Sequence, residues 1–361
     1  MLRVVVHTPD VVGERMAGPG IRAWHLADEL AKHFDAALVA RVEGRSPANV
    51  PFPLLGRGTA AAKRALHDAD VLVGQPARGF RRLRKAQRIV YDLFDPVLLE
   101  LREMYGKSPS LRQRVHLAAE KSRLKTALKN GDLLMVATPK QRELYKRHAI
   151  IVPFGAELTI KNQEPRTDNL ILWGGGTWEW LDPKTAVEAT VKLNRDGVAC
   201  RLLFLGRSRP NHSMVDRRRE DRFDRLVASG APFVEANDEW VPYRERLSWL
   251  RRAKIAIMLH RPTAEAEYSV RTRLFDAIAA AVPVIATEEG FAADLVRTEE
   301  LGVVVPPGDV DAVAQAMRRL LRDDDFHARC VTNLARIRPR FAWNVVTQPL
   351  IDAIQQWKHD D

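Results

Sequence analysis

Gly174, Gly175 and Gly176 stand together directly after the apolar run at 169–173. Glycines at a strand end let backbone N–H groups approach an anion such as a diphosphate, and a helix predicted to start near Pro183 would aim its positive end at the same place. Further along, Glu265, Glu267, Ser269, Arg271, Arg273 and Asp276 crowd into one short segment at a predicted helix start. Cations and a hydroxyl there can offset negative charge, while the carboxylates can accept hydrogen bonds from hydroxyl groups. Arg207 and Arg209 follow an apolar run at 201–205 and offer further positive charge. In the first half, Asp92 and Asp95 close another apolar run, where a carboxylate can orient or deprotonate a hydroxyl; Asp95, directly before Pro96, equally reads as a helix cap.

These residues need a scaffold that gathers strand ends. Apolar β-branched runs at 2–7, 37–40, 70–73, 88–91, 133–137 and 150–152 alternate with helical spacing, as at Ile21, Trp24, Leu26 and Leu30 of a helix predicted over 21–33. A loop containing Gly18, Pro19 and Gly20 joins the first run to that helix. A polar, Pro-containing stretch at 159–168 follows, then six more runs at 169–173, 199–205, 232–234, 255–259, 283–286 and 302–305. Such alternation predicts two doubly wound parallel sheets, which bind ligands beyond the carboxyl ends of their strands. The expected domains are 1–158 and 169–340; a long helix is expected from near Asp309, and a terminal helix at 344–359 follows it and packs back on the first domain.

Composition agrees with a globular chain. Of 361 residues, 46% are hydrophobic and 29% charged, enough for two cores with solvated surfaces. Cys200 and Cys330 are too isolated for a zinc site or a disulfide framework. The opening MLRVVVHTPD meets an acid too early for a secretory apolar region, and no spanning run follows, so the expected location is cytoplasmic. A net charge of +11 calls for an anionic partner. No zinc-finger spacing, RNA-binding motif or helix-turn-helix accompanies it, which excludes nucleic acid from the expected partners.

The stretch from Trp173 through Gly174, Gly175, Gly176, Thr177, Trp178, Glu179 and Trp180 to Pro183 resembles the glycine-rich opening of the donor domain in bacterial GT-B glycosyltransferases related to glycosyltransferase family 4. The run from Glu265 to Ala277, leading into Pro283, Val284, Ile285, Ala286 and Thr287, is similar to that family's acidic motif, helix and strand. The family's usual form is Glu-x7-Glu; here Asp276 takes the second place and Tyr268 the first, with Glu265 and Glu267 the nearest acids. The resemblance implies two Rossmann-like doubly wound domains facing a cleft, an acceptor side at 1–158 and a donor side at 169–340. It implies transfer of a sugar from a nucleotide-diphosphate sugar to an acceptor hydroxyl, with retention and without cofactor or metal. Donor contacts would come from Gly174, Gly175, Gly176, Arg207, Ser269, Val270, Arg271, Arg273 and Asp276. The segment 237–243 resembles the loop that meets the nucleobase through its backbone, at Val241. Catalytic carboxylates would be Asp92, Glu265 and Glu267, and Gly18, Gly20, Arg22 and Asp95 would form an acceptor-side loop.

Basic stretches at 79–88 and 112–129 would hold the protein on an anionic membrane face if the acceptor is lipid-linked, in cell-surface polysaccharide or glycolipid synthesis. A solvated helix face is the competing explanation. Two other functions stay open. One is a sugar-nucleotide-binding protein without activity, suggested by Tyr268 in the place of an acid. The other is a different nucleotide-using enzyme such as an epimerase, which would want a Gly-x-Gly-x-x-Gly turn that the residues after the first run lack.

Overall fold

A computed structural model of the protein describes residues 1–44, 46, 49–158, 169–206 and 217–357. It divides into two compact units: Met1–Gly155, Tyr268–Val270 and Phe341–Asp361 form the first, Ala156–Glu267 and Arg271–Arg340 the second.

In the first unit, strands β1 (Arg3–Gly13), β2 (Asp35–Glu43), β3 (Leu54–Gly56), β4 (Val71–Gly74), β5 (Arg88–Asp92), β6 (Leu133–Val136) and β7 (Ile150–Ile151) form one sheet in the order β3-β2-β1-β4-β5-β6-β7. Every neighbouring pair is parallel. Helices α1 (Gly18–Ala31), α2 (Ala60–Asp68), α3 (Val97–Tyr105), α4 (Leu111–Asn130) and α5 (Pro139–Tyr145) connect them. The second unit repeats the plan with β8 (Leu170–Trp173), β9 (Arg201–Phe204), β10 (Val234–Ala236), β11 (Ile255–Met258), β12 (Val284–Thr287) and β13 (Gly302–Val305), ordered β10-β9-β8-β11-β12-β13 and again parallel. Its helices are α6 (Pro183–Arg195), α7 (Arg217–Ser229), α8 (Arg246–Arg252), α9 (Ala264–Tyr268), α10 (Thr272–Ala280), α11 (Gly290–Thr298), α12 (Val310–Arg322) and α13 (Asp324–Ile337).

Strands β4, β8, β11 and β12 are buried at every residue. A parallel strand covered on both faces must be apolar throughout, which is why these segments read as unbroken runs. The strand order reverses between β1 and β4 and again between β8 and β11, so each unit has a switch point where neighbouring loops part and a crevice opens.

Three elements differ from the sequence reading. The first strand runs on to Gly13 through a register shift between His7 and Val11, and α1 begins at Gly18, so Gly18 and Gly20 lie in its first turn and not in a loop. Gly20 is required there, because a Cβ would lie 2.2 Å from the Val11 carbonyl oxygen. The short β3 escaped notice because three residues carry no periodicity. The helix expected from Asp309 onward is two, broken at Asp323, whose carboxylate accepts the Phe326 N–H at 2.8 Å and starts α13. The stretch at 159–168 lies outside the described residues.

The last helix, α14 (Trp343–Trp357), belongs to the first unit and contacts α1. Its Trp343 stacks on His25 at 4.5 Å and meets Phe154 edge-on at 5.1 Å. A Cβ on Gly155 would lie 2.2 Å from the Trp343 ring, so this glycine leaves the indole its room. Trp343→Ala is expected to remove about 3–5 kcal/mol from the first unit, the usual loss for truncating a buried aromatic, read as an earlier urea midpoint.

Candidate functional site

The switch point of the second unit lies between the carboxyl ends of β8 and β11. The glycine turn leaves β8 there, and Gly175 has a φ of +85°, a left-handed conformation that disfavours any side chain. Arg273, in the first turn of α10, reaches the same turn. Its Nη2 donates to the Gly176 carbonyl at 3.3 Å, its guanidinium lies 5.2 Å from the centre of the Trp173 ring, and its Nη1 is buried with no hydrogen-bond partner. Among the described residues no carboxylate comes within ion-pair distance of it. Burial, then the neighbouring Arg271, pulls its pKa down to about 9, which still leaves it charged at neutral pH. A half-buried cation whose direct contacts are a carbonyl and an aromatic face, with no carboxylate in ion-pair reach, is suited to receive an anion.

Arg271 has a different fate. Its Nη1 and Nη2 donate to the two oxygens of Glu265 at 2.7 and 2.8 Å, both side chains being almost wholly buried. Arg271 and Glu265 are thus engaged with each other, against the expectation that each faces the donor alone, while Arg271 Nε is left buried without a hydrogen-bond partner. Beside the pair, His260 is buried, its pKa lowered to about 4 first by burial and then by Arg271. Glu267 is partly exposed.

Asp276 is likewise engaged. Its Oδ1 accepts from Arg246 Nε at 3.1 Å, and Arg246 Nη2 donates to Glu157 at 2.6 Å, which also accepts from the Tyr243 hydroxyl at 2.6 Å. Burial lifts the Asp276 carboxyl above the usual range against the pull of Arg246. About a quarter of the side chain stays exposed, so Oδ2 can accept a further hydrogen bond. The start of α6 offers less than expected, because the Asp182 carboxylate already accepts the Thr185 N–H at 3.2 Å and its hydroxyl at 2.6 Å. That carboxylate answers the helix dipole and leaves little for a second anion.

Gly174 and Gly176 flank Gly175 on this turn, and Val241 is buried in the loop between β10 and α8. Ser269 and Val270 are buried but group with the first unit, where Gln141 donates to the neighbouring Tyr268 carbonyl at 2.9 Å, and not with Gly175 and Arg273. Arg207 and Arg209 lie outside the described residues. One residue was missed. Trp240 lies against Gly175, Gly176 and Gly206, and the available signal was a cluster of glycines at two strand ends, each needing a bulky neighbour or a ligand to fill the space it leaves.

In the first unit Asp92 and Arg22 form a buried pair: Nε to Oδ2 at 2.7 Å and Nη2 to Oδ1 at 3.1 Å, with Nη2 also donating to the Val152 carbonyl and Nη1 to the Pro153 carbonyl at 3.0 Å each. Arg22 is therefore an internal brace and not an acceptor-side residue, and Asp92, with both oxygens bound to a permanent cation, is not poised as a base. Asp95 is partly exposed and accepts from Gln75 at 3.4 Å.

Residues 168–323 match the family model described as Glycosyl transferases group 1. A phosphatidyl-myo-inositol mannosyltransferase of Mycobacterium leprae is 36% identical over 78 residues, 22% of this chain and 21% of that protein, so the chain spans about a fifth of the curated relative it matches. Among solved structures, a sucrose-phosphate synthase of Thermosynechococcus elongatus is similar with a TM-score of 0.71 at 17% identity, covering 100% of both chains. HepE of Anabaena, in complex with UDP-glucose, has a TM-score of 0.73 at 11% identity over 99% of this chain and 100% of its own. At such identities the likeness is one of fold.

The two buried histidines make stability depend on pH. His7, at the switch point of the first unit, is lowered to about 4 by burial and then by Arg57, as His260 is by burial and Arg271, from an ordinary value of 6.5. Between those values the unfolded chain binds a proton at each position that the folded chain refuses. Stability fully present above pH 6.5 is thus lost as pH falls toward 4, by up to about 3 kcal/mol for each histidine. His260→Gln is expected to flatten the fall in urea midpoint between pH 6.5 and 4; an unchanged slope would show that His260 is protonated in the fold.

Proposed function

We propose that this chain moves a sugar from a nucleotide-diphosphate donor to an acceptor hydroxyl, a reading supported by the match of residues 168–323 to the model of group 1 glycosyl transferases and by the GT-B fold. The observation that carries the reading is Arg273, a half-buried cation beside the turn of Gly175 and Gly176 whose Nη1 is buried without a hydrogen-bond partner. A departing diphosphate gains negative charge, and a fixed guanidinium, turn amides and the first turn of α10 stabilise that charge without reorganising. In this proposal no metal takes part. The open Oδ2 of Asp276 accepts from the ribose, and the Val241 backbone meets the base. Family resemblance supports retention at the anomeric carbon, and HepE with UDP-glucose supports a nucleoside-diphosphate hexose as donor.

A second reading, binding without transfer, is favoured by one observation: Asp92 and Glu265 are each held on both oxygens by an arginine. Release of nucleoside diphosphate from the donor, with or without an acceptor, separates the two. Arg273→Gln is expected to lower kcat/KM for transfer roughly 100-fold, the scale of losing one preorganised donor at a developing anion. Unchanged kinetics would remove the diphosphate from this site, and NMR of the product's anomeric proton tests retention.

The proposed acceptor is lipid-linked or a growing polysaccharide, met at an anionic membrane face. Among the described residues no helix is long and apolar enough to cross a membrane. Helix α4 instead lies on the surface with Leu111 77% and Val115 62% exposed, and the same stripe continues through Ala118 and Ser122 to Lys125 and Lys129. Arg112, Arg114 and Lys121 flank it, while Glu120 is tied to His116 and Arg123. Arg82 donates to the Asn130 carbonyl at 3.0 Å and pairs with Asp132 at 2.5 Å, which brings the basic loop at 79–88 beside the end of α4. Each basic residue near such a surface contributes about 1 kcal/mol. The protein is expected to co-sediment with anionic vesicles at low salt and to lose this with Lys121, Lys125 and Lys129 all changed to Glu; failure of the unaltered protein to co-sediment would end the membrane proposal.

A further inference from the structure

Trp240 stands in the loop between β10 and α8, and its six-membered ring runs along glycines that leave two different strands. A Cβ on Gly206, after β9, would lie 3.1 Å from Trp240 Cε3; on Gly176, after β8, 3.4 Å from Cζ3; and on Gly175, 3.9 Å from Cη2. That last position is also 3.8 Å from Arg273 Nη2, so the indole and the unpaired cation border the same spot. The ring remains partly exposed although the next residue, Val241, is buried. Core packing explains the edge that rests on the glycines. The rest of the residue is left partly accessible at the carboxyl ends of β8 and β9, beside the cation.

We propose that the Trp240 indole is the stacking surface for the nucleobase of the donor, and that this contact makes the site select for the presence of a base more than for its identity. The inference rests on the donor-site reading above and goes beyond backbone readout at Val241. A diphosphate held by Arg273 and the turn of Gly175 and Gly176 has its nucleoside within reach of the neighbouring ring. Every base has a π-face, so stacking holds uracil, guanine and adenine alike and adds nothing for a ligand that lacks a base.

Calorimetric titration of the full chain with UDP, GDP, ADP and inorganic pyrophosphate tests this on the unaltered protein, Trp240→Leu and Trp240→Phe. Trp240→Leu is expected to weaken all three nucleotides roughly 10-fold or more, by similar factors, and to leave pyrophosphate unchanged. Trp240→Phe, which keeps an aromatic ring on the glycines, should stay within about 3-fold of the unaltered protein. A second measurement does not need the leucine variant to fold: quenching of tryptophan fluorescence by UDP should be present in the unaltered protein and largely lost in Trp240→Phe. Nucleotide affinities unchanged in Trp240→Leu, an equal loss of pyrophosphate, or quenching that persists in Trp240→Phe would each overturn the stacking role while leaving the donor site standing. If the unaltered protein binds pyrophosphate and nucleotides not at all, the donor-site reading itself falls.

Discussion

A guanidinium half withdrawn from water must have its charge answered, and Arg273 is met by one carbonyl and the face of Trp173. Desolvating a cation without a carboxylate beside it costs free energy. The turn at Gly175, the start of α10 and the partly exposed Trp240 all gather around this one side chain.

The other buried arginines show the contrast. Arg271 with Glu265, Arg22 with Asp92, and Arg246 with Asp276 and Glu157 each find carboxylates at 2.6–3.1 Å. In such pairs the attraction largely offsets the desolvation of both ions, so they act as braces and leave little charge for a ligand. Glu265 and Arg271 thereby tie α9 to the start of α10 and hold the first turn from which Arg273 projects. Arg22 ties α1 to the end of β5 and to the carbonyls of Val152 and Pro153. The same residue types that suggest chemistry in a sequence are, in these positions, supports for it.

Much of the architecture was legible in the sequence. The unbroken apolar runs of β4, β8, β11 and β12 announce parallel strands covered on both faces, because alternation of polar and apolar residues is possible only where one face meets water. Gly174, Gly175 and Gly176 marked a turn with an unusual backbone, and Gly175 has the left-handed φ that such a turn demands. Boundaries were less legible: β3 is too short to show a period, and the bulged extension of β1 to Gly13 is held by pairing with β2 more than by local preference.

Residue types, their order and the alternation of strands and helices were determined by the sequence alone, since each follows from local sterics and from which faces must leave water. Which charges are spent inside the protein was decided only by the tertiary structure. Arg271 and Arg273 are two positions apart and equal in chemistry, yet one lies against Glu265 and the other against Trp173. Asp92 finds Arg22 across seventy positions of chain, and Gly206 meets Trp240 from another strand. Pairing depends on distances of a few ångströms between elements far apart in the chain, and a linear pattern carries no information about such distances.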